Sequence, residues 1–225
     1  MSQVFASWSG GKDGCLACYR AAARGLKIRC LANMITEDGK RSRTHGVSAH
    51  VLKVQSQAIG IPLVQRRTTW DSFEANFKNM LRTFRQEGIT GGVFGDIDLN
   101  EHREWVERVC QEVDITPHLP LWGESQGEIL KDFINSGFKA IVVATKADML
   151  GEEWLGREVD LDFINQLAEL RKTKDVTLCG EAGEYHTLVL DGPLFQQRME
   201  IMETRKVFRD EHWFLEILGT ELKAK

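Results

Sequence analysis

The sequence predicts an α/β fold, a parallel sheet with helices on both faces followed by a smaller α+β domain. Three observations carry this. Short apolar runs alternate with helical patterns through the first two-thirds of the chain. A glycine turn joins the first apolar run to the first helix. From Tyr185 onward, strand patterns follow one another with no helix between them.

Element by element, Gln3–Trp8 is an extended apolar run, and the alanine-rich Cys15–Arg24 is helical. Lys27–Met34 is the next strand, His50–Ile59 the next helix, and Ile61–Val64 a short strand entered through Pro62. Phe73–Gln86 carries Phe73, Phe77, Met80, Leu81 and Phe84 at helical spacing and stops at Gly88. Gly91–Gly95 is a buried strand and Asn100–Val113 a helix. Pro117 and Pro120 mark a boundary, giving domains over 1–118 and 119–225. Beyond it come a helix at Gly127–Ser136, a strand at Ala140–Ala144 and a helix at Leu161–Leu170. Strands are expected at Tyr185–Leu190, Met199–Val207 and Trp213–Leu218.

Composition narrows the function. A chain of 225 residues with 42% hydrophobic and 28% charged residues can bury a full core, which argues against disorder. A net charge of −4 gives no footprint for general nucleic-acid binding. The basic stretch Lys40-Arg41-Ser42-Arg43 is either a solvated loop or a contact for nucleotide phosphates. Five cysteines with no secretory leader read as free thiols of a reducing cytoplasm. Cys15 and Cys18 have a metal or redox spacing, but no second pair follows them. No membrane span is expected. The sequence leaves homo-oligomerisation open.

The decisive segment is Ser7-Trp8-Ser9-Gly10-Gly11-Lys12-Asp13-Gly14, directly after the first strand and opening the first helix. Glycines there let main-chain N–H groups converge on one anion, and the helix adds its positive end. Ser9 can donate to a phosphate oxygen, Lys12 can neutralise a departing pyrophosphate, and Asp13 can cap the helix or hold Mg²⁺. The Walker and dinucleotide patterns are both absent. Gly95-Asp96 sits at the carboxyl end of a strand, where α/β sheets bind ligands, so Asp96 is a second candidate for Mg²⁺ or ribose. His45 faces the same edge. Glu181, Glu184 and His186 crowd one stretch, Gly180–Thr187, and are candidates for holding ammonium and taking its proton.

Ser9-Gly10-Gly11-Lys12-Asp13 resembles the PP-loop of the ATP pyrophosphatases, a Rossmann-like superfamily, with Gly14 where serine is usual. Thr44-His45-Gly46, Gly95-Asp96-Ile97, Pro120-Leu121-Trp122, Trp154-Leu155-Gly156-Arg157 and Gly180–Thr187 resemble, in that order, the diphthine–ammonia ligase family. The resemblance implies ATP and Mg²⁺ as cofactors and ATP-dependent amidation of a carboxylate with ammonia through an acyl-adenylate, releasing AMP and pyrophosphate. The acceptor it implies is a modified histidine of elongation factor 2. Ala182 and His186 stand where that family tends to have glycine and an acidic residue, so a small-molecule acceptor such as a corrinoid carboxylate is the alternative. A nucleotide-binding protein without turnover is a third reading. The two tryptophan motifs are expected to shape the cleft between the domains, with Trp122 stacking on a ligand and Arg157 forking an anion.

Overall fold

The computed structural model describes residues 2–225. Five parallel strands form the first sheet: β1 (Gln3–Ser7), β2 (Lys27–Ile35), β3 (Leu63–Arg67), β4 (Gly91–Val93) and β5 (Thr116–His118). Their order is β3-β2-β1-β4-β5. Between them run the helices α1 (Lys12–Ala23), α2 (Ala49–Ile59), α3 (Phe73–Gln86) and α4 (Asn100–Gln111). The chain leaves β1 toward β2 and β3, then crosses back to β4. The loops after β1 and β4 therefore part company at one edge of the sheet, the crevice where doubly wound folds bind ligands.

After α5 (Gln126–Asn135) come β6 (Lys139–Lys146), a 3₁₀ turn at Glu152–Trp154, α6 (Leu161–Leu170), β7 (Tyr185–Asp191), β8 (Gln197–Arg209) and β9 (His212–Ala224). The four strands pair antiparallel in the order β7-β6-β9-β8. The α/β class with an α+β second part is as the sequence predicts.

The parallel sheet separates two apolar cores. One holds Phe5, Phe77, Met80, Leu81 and Phe84 beside Val106 and Val109, under α3 and α4. The other is continuous from Val4, Leu16 and Leu31 to Phe133, Phe163 and Leu188, so the second sheet shares a core with α1 and α2. Burial at about 25 cal/mol per Å² makes that shared core the main force holding the two sheets in register. Arg20 adds a polar tie, donating from Nη2 to Asp132 at 2.7 Å and from Nη1 to Glu124 at 2.7 Å.

Several expectations need correction. The Pro117 segment is an edge strand as well as a connection: Gly92 pairs with Pro117, and a missing N–H costs little at an edge. The strand read from Ile61 begins at Leu63. That read from Gly91 stops at Val93, because Gly95 leaves the sheet to back onto α1. The last two strands are much longer than their apolar patterns, since a hairpin ribbon needs only its partner's backbone. Among the described residues no helix is long and apolar enough to cross a membrane.

Candidate functional site

At the carboxyl ends of β1 and β4 lies a cleft of about 480 Å³. Ser7, Trp8, Ser9, Gly11, Lys12, Asp13 and Gly14 line it from the first loop, and Gly95 and Asp96 from the second. His45 comes from the loop before α2, and Glu181 and His186 come from the second part of the chain. Gly10 and Glu184 are outside the lining.

The cradle is built by close approach. Gly10 takes φ +81°, a conformation that favours glycine, and its carbonyl accepts from Val189 N at 2.9 Å and from Gln55 Nε2 at 3.0 Å. Gly10 thus anchors the turn while its neighbours face the cleft. A Cβ on Gly95 would lie 2.8 Å from Gly14 N, so only glycine lets the β4 end support the first turn of α1. Cys15 N is the first α1 amide to find an i−4 carbonyl, that of Gly11 at 3.1 Å. The earlier amides are the orphan donors of a helix start. Lys12 N is taken by Thr187 Oγ1 at 3.0 Å, which leaves Asp13 and Gly14 as the cradle's donors in α1.

The charges are arranged tightly. Lys12 is buried, and its Nζ donates to Asp13 Oδ2 at 2.8 Å and to the Cys179 carbonyl, with the Tyr185 ring 5.1 Å away. Burial opposes its charge, but Asp13, Tyr185 and Cys179 outweigh burial and raise its pKa well above the ordinary lysine value. Burial raises the Asp13 carboxyl, which Lys12 only partly offsets and Asp96 reinforces. Asp13 Oδ1 is buried without a protein partner. Burial, then Asp13, push Glu181 up to about 7, with Asp98 and Asp96 adding to the effect. His45 and His186 stack with ring centroids 4.2 Å apart. Burial lowers both, His186 to about 4, so both rings are neutral at pH 7. His45 Nδ1 is also buried and unpartnered.

Glu184 must be reassigned. Its carboxylate is fully buried, accepts from Thr177 N and braces the loop that carries Glu181. The tryptophan motifs also sit away from the cleft lining. Trp122 packs under Arg103 at 5.1 Å, and Arg157 stacks on Trp154 at 4.4 Å while bonding Gln166 at 2.7 Å. Lys40 and Arg41 line a different cavity. The five cysteines are buried free thiols, and burial raises Cys18 to about 12, which makes the Cys15–Cys18 pair poor redox chemistry.

Sequence reasoning missed His102 and the aromatic wall, and it named Thr187 only as the end of the Gly180–Thr187 stretch, without its bond to Lys12 N. His102 stands 3.4 Å from Asp96 at the cleft, and the hydrogen bond it donates to that carboxylate raises its pKa. Phe73 and Phe77 had a detectable signal, helical spacing, which reads only as core; here they also line the cleft with Phe94 and Trp105. For His102 no local signal exists.

An amide cradle at the switch point of a doubly wound parallel sheet, closed by a carboxylate-bearing loop from a second sheet, defines an α/β protein with a candidate anion-binding loop. Two family models then match in tandem: the diphthamide synthase N-terminal domain over residues 2–117 and the diphthamide synthase C-terminal domain over residues 125–222. The chain belongs to the diphthamide synthase family and is an enzyme of the ligase class. The diphthine–ammonia ligase of Rattus norvegicus is 28% identical over 250 residues, spanning 99% of this chain and 93% of the relative. That of Homo sapiens is 28% identical over 234 residues, spanning 94% and 87%. In the Saccharomyces cerevisiae relative, 25% identical over 224 residues, the match takes 84% of this chain but only 33% of a longer protein.

Proposed function

We propose that the chain is an ATP-dependent carboxylate–ammonia ligase acting through an acyl-adenylate. The supporting observation is that the amide cradle, the ion pair of buried Lys12 with Asp13, and Glu181 share one cleft. In this reading an acceptor carboxylate oxygen attacks the α-phosphorus, the bond to the β-phosphate oxygen breaks, and pyrophosphate leaves. Ammonia then attacks the acyl carbon, the C–O bond to AMP breaks, and the nitrogen gives up a proton.

The residues divide the work by their surroundings. The Asp13 and Gly14 amides and the α1 dipole hold the pyrophosphate oxygens. Lys12 supplies a fixed charge from behind the loop; with two of its three donors engaged, it can offer one more. Glu181, titrating at about 7, is matched to accept the amine's proton at neutral pH. His186, at about 4, is too weak a base for that step, and with His45 it forms an uncharged wall beside the loop.

Mg²⁺ fits the donors present. Among the described residues no group of three or more His, Cys, Asp or Glu is placed to hold a metal by protein ligands alone. Mg²⁺ with a nucleotide needs only one or two carboxylates beside phosphate oxygens and water. Asp13, with its unpartnered Oδ1, and Asp96 would hold it, where it would offset phosphate charge.

The acceptor is a carboxylate, either that of diphthine, as the relatives' names suggest, which the family resemblance puts on elongation factor 2, or that of a small molecule. Incubation with ATP, ammonium and a panel of carboxylates is expected to release AMP and pyrophosphate only when an acceptor is present. Release of ADP and phosphate contradicts the reading. Tight nucleotide binding with no release under any acceptor favours a sensor.

A further inference from the structure

A second cavity, also about 480 Å³, opens between the loop before α2, the first turns of α2 and the start of β9. We propose that this cavity seats the carboxylate arm of the acceptor, next to the nucleotide cleft and separated from it by the His45 ring. The inference rests on the ligase reading for the identity of the occupant.

Charge is the first argument. Lys40, Arg41, Lys53 and Arg209 line this cavity, against one carboxylate, Glu216. Glu216 is already shared: Arg41 bonds it, Arg205 donates to it at 2.7 Å, and Arg209 stands 4.0 Å away. Lys53 is exposed, and Lys40 has only a 3.9 Å contact to Asp38. A protein of net charge −4 thus concentrates cations around one hollow, which raises the local concentration of anions.

The α2 helix adds to this field. Its start, Ser48 to His50, lines the cavity, and its first turn carries no acidic residue. Two of its amides are engaged, Ala49 N to the Lys40 carbonyl and His50 N to Ser48 Oγ, so the helix contributes positive potential rather than free donors. The floor is apolar, with Val143, Phe214 and Ile217. A basic rim over an apolar floor suits a carboxylate on a hydrocarbon arm better than a fully hydrated ion.

Position completes the case. His45 lines both cavities. Its Cε1 and Nδ1 stand 2.9 and 3.3 Å from where a Cβ on Gly11 would lie, so a single imidazole divides the basic cavity from the phosphate loop. Its Nδ1 is buried without a partner. Stacked on His186, the His45 ring is the surface along which the acceptor's seat borders the nucleotide cleft.

The test titrates glutarate into protein saturated with AMP, following the His45 and His50 ring signals by NMR, with Lys40→Glu/Lys53→Glu as the variant. Neither lysine lines the nucleotide cleft, and melting temperature checks that the variant folds. Glutarate is expected to shift both histidines without displacing AMP, and its affinity is expected to fall about tenfold or more in the variant. AMP affinity should stay within about twofold. Four results overturn the proposal: no shift in the wild type, competition with AMP, equal glutarate affinity in the variant, or inorganic phosphate binding there about tenfold more tightly than glutarate. If glutarate binds as expected while no carboxylate yields pyrophosphate, the seat stands and the ligase reading fails.

Discussion

The two walls of the candidate nucleotide cleft are made differently. The wall from Ser9 to Gly14 is local: a strand end, a turn with φ +81° at Gly10 and a helix start, so its donors are fixed by the backbone of six consecutive residues. The wall from Cys179 to Thr187 is tertiary. It is held against the loop by Thr187 Oγ1 on Lys12 N, the Cys179 carbonyl on Lys12 Nζ, and Val189 N on the Gly10 carbonyl. In the proposed function the local wall grips phosphates. Burial shifts titrating groups on both walls, Asp13 on the local one and Glu181 and His186 on the tertiary one, but only the tertiary wall brings a carboxyl that titrates at about 7.

Breaking the local wall should have the largest effect. Gly95→Ala puts a methyl 2.8 Å from Gly14 N and forces the cradle to shift. ATP affinity is expected to fall about a hundredfold, roughly 3 kcal/mol, by calorimetry. An unchanged affinity would detach the cradle from the function.

Disturbing the tertiary wall should leave binding intact and alter chemistry. Glu181→Gln is expected to lower kcat on the order of a hundredfold with the KM for ATP within about twofold. In the wild type the base must be deprotonated, so kcat should rise as pH climbs through about 7. That rise should vanish in the variant; its persistence would remove Glu181 from the proton transfer.

The stacked histidines give a stability readout. His186 titrates at about 4 when folded, against 6.5 for a free imidazole, so the unfolded chain binds the extra proton first. Stability is therefore lost as pH falls from about 6.5 towards 4, by on the order of 2 kcal/mol. His186→Phe keeps a ring in the stack and should remove part of that loss, leaving the share due to His45. Melting temperature against pH decides it, and superimposable profiles contradict the buried-neutral assignment.

The smallest effect sharpens the comparison. A Cβ on Gly14 would meet only Ser7 O, at 3.5 Å, so packing does not forbid a side chain there. Gly14→Ser should fold normally and, with a hydroxyl added to the cradle, bind ATP about three- to tenfold more tightly. Weaker binding would mean that the bare glycine is itself required.

This contrast explains what the sequence discloses. The parallel sheet and the Ser9–Gly14 loop are legible because alternation, glycine and helix starts are local signals. Asp96 and Gly95 were legible from their place at a strand end. Glu184 and Glu181 were not distinguishable, because three residues apart on one loop, one points into the core against Thr177 and the other into the cleft. His102 was invisible for the same reason: its role depends on α4 starting beside the loop after β4. Trp122 and Arg157 misled because a conspicuous residue type can satisfy itself by stacking elsewhere, on Arg103 and Trp154.

A crystal structure with a non-hydrolysable ATP analogue and Mg²⁺ addresses the central claim most directly. The account predicts β- and γ-phosphate oxygens within hydrogen-bond distance of the Asp13 and Gly14 amides, and the α-phosphate on the side of the cleft that Glu181 and His45 close. A nucleotide seated elsewhere, with those amides facing only protein, would contradict it.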